Sequence, residues 1–178
     1  TYQKYNQFSP TANAAIHVQN LSEQDIQRLR QNTPITEVKV YKSDRIVKLM
    51  HHDQDIRTYP MRLGFDPIGH KAKEGDGKTP EGRYILDWRN PNSAFYKSLH
   101  VSYPNPQDKS KANQLGVSPG GDIMIHGSAT RSQVEKLPSL MTYLPRNDWT
   151  WGCTAVRNID MDEIWKLVDD GTMISIYS

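Results

Sequence analysis

The chain holds one cysteine, Cys153, inside Trp149-Thr150-Trp151-Gly152-Cys153-Thr154-Ala155-Val156-Arg157-Asn158. A thiol attacks only as thiolate, so it needs a base or positive neighbour and a backbone bend that exposes it. Upstream, Met124-Ile125-His126-Gly127 closes an apolar run on a histidine. The two segments could supply a Cys-His pair for nucleophilic acyl chemistry. An isolated cysteine is more often a small buried hydrophobe. Here Gly152 and the polar Thr150 and Thr154 do not make a core strand. The loop also runs toward a helix whose first N–H groups favour an anion. His126 taken alone reads as a ring satisfied at a strand end. Gly127 after it permits close approach of another segment, and a carbonyl at or near it could hold the ring N–H and fix the tautomer.

The remaining candidates are weaker. Trp149 and Trp151 serve either packing or an aromatic wall for a ligand. Arg157 is either a surface charge or a partner for a substrate carboxylate. Tyr103, at the end of a predicted strand, is grouped with these three as a substrate contact. His51-His52-Asp53 with Asp55 has metal-ligating residue types, but it sits at a predicted hairpin tip where neighbouring side chains point to opposite faces, so no metal is assigned. His17, His70 and His100 form no pattern. There is no HExxH and no Walker loop, and Gly75, Gly77 and Gly82 do not make a phosphate cradle, so no cofactor is expected.

Composition narrows the class. The 178 residues suit one domain, with 22 basic and 20 acidic side chains. So balanced a charge gives no reason to expect nucleic acid or an anionic membrane as partner. No apolar run approaches the ~20 residues of a membrane span. With one thiol there is no internal disulfide and no Cys-rich metal site. The chain begins on Thr1 rather than Met, which is read as the trace of a removed leader.

These residues need elements to position them. Residues 1–20 lack periodicity and read as an arm. Leu21–Arg30 reads as a short helix, capped by Ser22 with Asp25 completing a capping box. Alternation predicts strands at 37–41, 45–50 and 56–61. The glycine-rich stretch 64–82 reads as a long ordered loop, because Tyr84-Ile85-Leu86 resumes a strand at once. More strands are predicted at 99–103, 122–125 and 172–177. Met161, Ile164, Trp165 and Val168 share one helical face, with Asp160 as cap and Gly171 as stop. The expectation is a mostly β domain with two or three peripheral helices: residues 1–35 as arm and short helix, and 36–178 as the catalytic domain.

Three segments resemble the L,D-transpeptidase catalytic domain, the YkuD-like family: Tyr59–Gly64 leading into Lys73-Glu74-Gly75-Asp76-Gly77-Lys78-Thr79-Pro80-Glu81-Gly82-Arg83-Tyr84; Ile123–Gly127; and Gly152–Val156. The resemblance spans roughly residues 36–177. It implies a β-sandwich-like fold and action on peptidoglycan stem peptides in the periplasm or cell envelope. A monomer with no membrane span is expected, although the sequence does not define the oligomeric state. The resemblance implies Cys153 as nucleophile, His126 as base and the Gly127 carbonyl as the group orienting the imidazole. It implies an oxyanion site at the Gly152 and Cys153 N–H groups. The chain departs from the family pattern in carrying Trp151 where many members have a second histidine, and Ala155 where many have arginine. The step of 27 positions from His126 to Cys153 is also a longer interval than usual. Trp151 is therefore expected to wall the substrate groove, and residues 131–147 to form a partial lid. Transfer to an amine is the leading reading. An L,D-carboxypeptidase or endopeptidase using water keeps the same cysteine, and a non-catalytic wall-binding module is the reading from another class. A sortase-like enzyme would not need the TPEG loop, and papain- or NlpC-type peptidases place cysteine before histidine.

Overall fold

The structure is a computed structural model, and it describes residues 8–10 and 20–178. The rest of the arm expected over 1–20 lies outside the described residues. The strands predicted at 37–41, 45–50, 56–61, 84–86 and 172–177 are present; those predicted at 99–103 and 122–125 lie at 96–101 and 124–126, and short strands at 8–10, 143–145 and 154–156 were not predicted. β1 (Phe8–Pro10) is followed by β2 (Glu37–Tyr41), β3 (Ile46–His51) and β4 (Gln54–Arg62). In β2, Val38 and Val40 point inward while their neighbours stay partly exposed, the period-two pattern of a sheet with one buried face. β5 (Gly82–Ser93), β6 (Tyr96–Val101), β7 (Met124–His126), β8 (Tyr143–Pro145), β9 (Thr154–Val156) and β10 (Thr172–Tyr177) follow.

Eight of these close into a barrel in the order β10-β2-β3-β4-β9-β7-β6-β5. The domain is mostly β with peripheral helices, as expected, and its main sheet closes on itself. The reason is β10, which pairs in parallel with β2 on one side and antiparallel with β5 on the other. Each would-be edge of the barrel is thereby paired, so none of its eight strands presents an open edge. Val38, Val40, Leu49, Tyr59, Leu86, Leu99, Ile125 and Ile174 fill the interior.

Helices cover the outside. α1 (Glu23–Asn32) carries the predicted Ser22–Asp25 capping box. α2 (Pro106–Gln114) and α3 (Arg131–Lys136) were not expected. α2 is nearly all polar, so periodicity is silent, although Asn105-Pro106 with Asp108 is a readable start signal. α4 (Asn158–Leu167) begins earlier than predicted. Its N-cap is Arg157, and Asp160, expected as the cap, is buried inside the first turn and paired with the Arg157 guanidinium. Met161 and Ile164 face the core as the pattern required.

Residues 131–147 form a small satellite. α3, a 3₁₀ turn at Pro138–Thr142 and β8 enclose Ala129 and Leu140 with Val134 and Tyr143. β1 pairs antiparallel with β8.

Candidate active site

Two strands far apart in sequence bring the candidate pair together. β7 and β9 run parallel and adjacent, with Ile125 opposite Thr154 and His126 opposite Ala155. Cys153 is the residue just before β9. At ordinary strand spacing its Cα lies about 8 Å from that of His126.

The histidine is held from both sides. Its Nδ1 lies 2.5 Å from the Gly127 carbonyl. A carbonyl only accepts, so Nδ1 carries the proton and Nε2 keeps the lone pair. The Phe95 ring stacks on the imidazole at 5.3 Å, and Trp149 meets it edge-on at 5.7 Å. Burial draws His126 down to about 4, against the pull of the Gly127 carbonyl. The ring is therefore neutral at pH 7.

The turn after His126 is anchored by Asn158, a fully buried residue that the sequence reading did not single out. Its Oδ1 accepts from the N–H groups of Ser128 and Ala129 at 2.8 and 3.0 Å, and its Nδ2 donates to the Ala129 carbonyl. Gly127 is required because a Cβ there would sit 2.6 Å from that same Oδ1.

Cys153 sits at the end of a tightly braced turn. Gly152 has φ +124, open to glycine and strained for any other residue, and a Cβ on it would approach the Lys78 carbonyl to 2.6 Å. The buried Thr79 hydroxyl donates to the Gly152 carbonyl at 2.7 Å. Thr150 Oγ1 donates to the Cys153 carbonyl at 2.7 Å and accepts the Gly152 N–H at 3.2 Å. That bond corrects one expectation, since the Gly152 N–H is already engaged and is not a ready oxyanion donor. Gly64, Gly77 and Gly152 meet backbone to backbone, where a Cβ on Gly64 would overlap the Gly77 carbonyl. The GDG-x-TPEG stretch is thus a brace for the cysteine turn.

The brace has its own ionic centre. Lys71 and Asp76, both nearly buried, pair at 2.9 Å. Burial works against the Asp76 carboxylate, but the N–H groups of Ala72, Lys73 and Lys78 and the Lys71 ammonium outweigh it and bring Asp76 down to about 2.

The thiol opens on a cleft of about 380 Å³ lined by Lys71, Glu74, Gly75, Gly120, Gly121, Asp122 and Trp151. Trp151 is 72% exposed, meets Phe65 edge-on at 5.1 Å and lines the cleft beside the cysteine. The thiol donates to the Asp122 carbonyl at 3.3 Å. Among the described residues no hydrogen bond links it to the His126 ring. Asp122, at φ 55, turns its carbonyl onto the sulfur first. Burial pushes the thiol up to about 11; the Met124 N–H and Lys71 oppose this and Asp122 adds to it. The resting pair is a neutral thiol and a neutral imidazole.

Three predicted substrate contacts fall elsewhere. Arg157 holds Asp160 with both Nε and Nη2, at 2.7 and 2.9 Å. Tyr103 is buried and donates to the Pro119 carbonyl, so it steadies the loop leading to Gly120 and Asp122. Trp149 packs on His126 and does not line the cleft. Residues 131–147 also contribute nothing to the cleft lining. They pack against α4, and the loops around Glu74 and Gly120 bound the cleft instead. His51 turns Nδ1 to the Pro34 carbonyl, and no group of three or more His, Cys, Asp or Glu suited to a metal occurs among the described residues. No helix among them is long and apolar enough to cross a membrane.

Comparison with known proteins identifies the family of the domain. The family profile of the YkuD L,D-transpeptidase catalytic domain matches residues 35–176. The chain belongs to that family, whose members act on peptidoglycan peptides. A curated Escherichia coli K12 protein named "Putative L,D-transpeptidase YafK" is 27% identical over 138 residues, which is 74% of this chain and 46% of that protein. The chain thus spans about half the length of the curated relatives it matches. Among solved structures, the helical cell shape determining protein Pgp2 of Campylobacter jejuni aligns with TM-score 0.61 and 23% identity, over 83% of this chain and 49% of that one. Bd1075 of Bdellovibrio bacteriovorus aligns with TM-score 0.55 and 22% identity, over 96% and 53%. At these identities the structures establish the shared fold.

Proposed function

We propose that this domain is an L,D-transpeptidase of the cell envelope, with Cys153 as nucleophile and His126 as general base. The observation that carries the reading is the β7–β9 pairing. It sets a histidine with a fixed Nδ1–H tautomer on the strand beside a cysteine that opens on a cleft. In the reaction, the thiol proton passes to His126 Nε2 as Sγ attacks the carbonyl of a stem-peptide amide joining an L-centre to a D-residue. The tetrahedral oxyanion takes the Cys153 N–H as its donor on this chain. The C–N bond then breaks, the imidazolium proton goes to the departing amine, and a D-amino acid leaves an acyl-thioester on Cys153. An amine of a second stem attacks that thioester, gives its proton to His126 and restores the thiol. Water in place of the amine gives the carboxypeptidase or endopeptidase outcome from the same thioester. A neutral resting pair fits this scheme: the proton moves only when a bound carbonyl receives the sulfur's electrons. Catalytic contacts that are long in an unliganded protein commonly tighten in the substrate complex. Transfer adds a cross-link, cleavage removes one and trimming removes a donor stem, which is how such a domain would bear on cell shape.

The test is mass spectrometry of purified muropeptides incubated with the protein. Transfer, trimming and cleavage each give a different product mass. Cys153→Ala should abolish all three and keep the fold, since alanine fits the same turn. His126→Gln should lower turnover by ~10²–10⁴-fold. Wild-type turnover in the alanine variant would end the assignment.

A further inference from the structure

We propose that Phe95 and Trp149 are positioning residues for His126, two rings that fix the plane of the imidazole and keep water from it. The proposal rests on His126 being the base, but its test does not.

The two rings come from separate elements and close on the histidine from two directions. Phe95 lies in the two-residue link between β5 and β6. Its ring is nearly parallel to the imidazole, at 25°, while Trp149 stands at 70° to the imidazole and at 78° to Phe95, 4.7 Å away. One flat face and one edge leave an imidazole little freedom to turn. The Phe95 backbone joins in, since its carbonyl accepts the Gly127 N–H at 3.0 Å. The link that carries the ring therefore also holds the residue whose carbonyl sets the tautomer. Trp149 is fixed by its own N–H, which donates to the Leu63 carbonyl at 3.0 Å.

A second observation says which part of Trp149 matters. Its Nε1 is buried and has no hydrogen-bond partner among the described residues. A buried donor without a partner is costly. The indole is thus placed for its ring and not for its N–H. The register neighbours of His126 are uncharged side chains: Ser98 lies opposite it on β6 and Ala155 on β9. No ion pair reaches the imidazole among the described residues. What holds it neutral is exclusion of water, and the two aromatic rings supply the removable part of that exclusion.

The test is an NMR titration of the His126 ring in the intact protein, its signal identified by loss in His126→Gln. The wild-type ring should titrate near 4. Phe95→Ala and Trp149→Ala should each raise that value by about one unit or more, toward the ordinary imidazole range. Trp149→Phe keeps a ring and loses the orphan N–H, so it should stay within about half a unit of wild type. Where an alanine variant does not fold, Phe95→Leu keeps apolar volume without the flat face and should still move the value upward by about half a unit. A merely structural role would lower the melting temperature and leave the titration in place. Folded alanine variants titrating with wild type would overturn the proposal, as would a Trp149→Phe shift as large as that of alanine. Turnover is not read in this experiment. An active Cys153→Ala variant would sink the enzymatic assignment and leave the aromatic cage standing.

Discussion

The chemistry of the site turns on two groups that are both uncharged at rest. Burial holds the Cys153 thiol up at about 11 and the His126 imidazole down at about 4. A preformed thiolate–imidazolium pair would alkylate at a rate that is flat around neutrality. A neutral thiol should react in proportion to its thiolate fraction. Alkylation of Cys153 by iodoacetamide should therefore rise about tenfold per pH unit from roughly pH 7 to pH 10. Mass spectrometry of the labelled peptide against time gives the rates, and a plateau near pH 7 would show that the pair is charged. The sequence made Cys153, His126 and Gly127 legible because thiol, imidazole and flexible backbone have few other uses in that order. It said nothing of Asn158 or Phe95. Asparagine and phenylalanine are common, and the job of each exists only once β7 has a neighbour.

At the scale of elements, the glycine-rich loop serves to support the cysteine turn. Thr79 is the contact between the two, with its buried hydroxyl on the Gly152 carbonyl. Thr79→Val keeps the shape and leaves that carbonyl without its donor, which should cost about 1–3 kcal/mol of stability. Thr79→Ser should recover most of it, and urea denaturation of the three proteins is the check. Equal midpoints for Val and wild type would mean that the contact does not brace the turn. The Lys71–Asp76 pair works at the same level. Removing one partner of a buried pair strands the other, so Asp76→Ala should cost about 3–5 kcal/mol. Because the folded Asp76 pKa is lowered, its contribution is present above the ordinary carboxylate value of 3.8 and is lost as pH falls through about 2. The loop should therefore survive acid that protonates most carboxylates. Loss of the Ala72 and Lys73 amide protection from hydrogen exchange already at pH 4 would contradict this.

For the whole molecule, the buried neutral histidine links stability to pH. The unfolded His126 binds its proton at the ordinary value of 6.5, and the folded one only at about 4. A depressed folded pKa means stability that is fully present above 6.5 and is lost as pH falls through 4. The loss across that window is about 3 kcal/mol. Denaturant titrations at pH 7.5, 5.5 and 4 should show it in the wild type and much less in His126→Gln, which has no proton to gain. Parallel curves for the two proteins would rule out His126 as the group responsible. The window lies above that of Asp76, so the two effects separate along the pH axis.

Local chemistry determined what could be read from the chain alone. Period-two alternation gave β2 to β6 and β10, and a capping box gave the start of α1. Apolar spacing gave the buried face of α4, and the pairing of a lone cysteine with a histidine-glycine step gave the centre of the site. What depended on distance between segments was decided by the tertiary structure. Barrel closure required β10 to find two partners, and alternation within a strand does not name its neighbours. Residues 131–147 looked like a lid because an insertion before the cysteine is near it in sequence, yet the satellite packs on α4 and the cleft is bounded by loops around Glu74 and Gly120. Arg157 looked available because nothing in its neighbourhood announces that Asp160 turns back to hold it. Trp149 and Trp151 are two residues apart and of the same type, and only the fold assigns one to the imidazole and the other to the cleft. A turn with a φ of +124 at Gly152 sends its flanking side chains to different places, and that angle is fixed by backbone contacts with Gly64 and Lys78, more than 70 residues away.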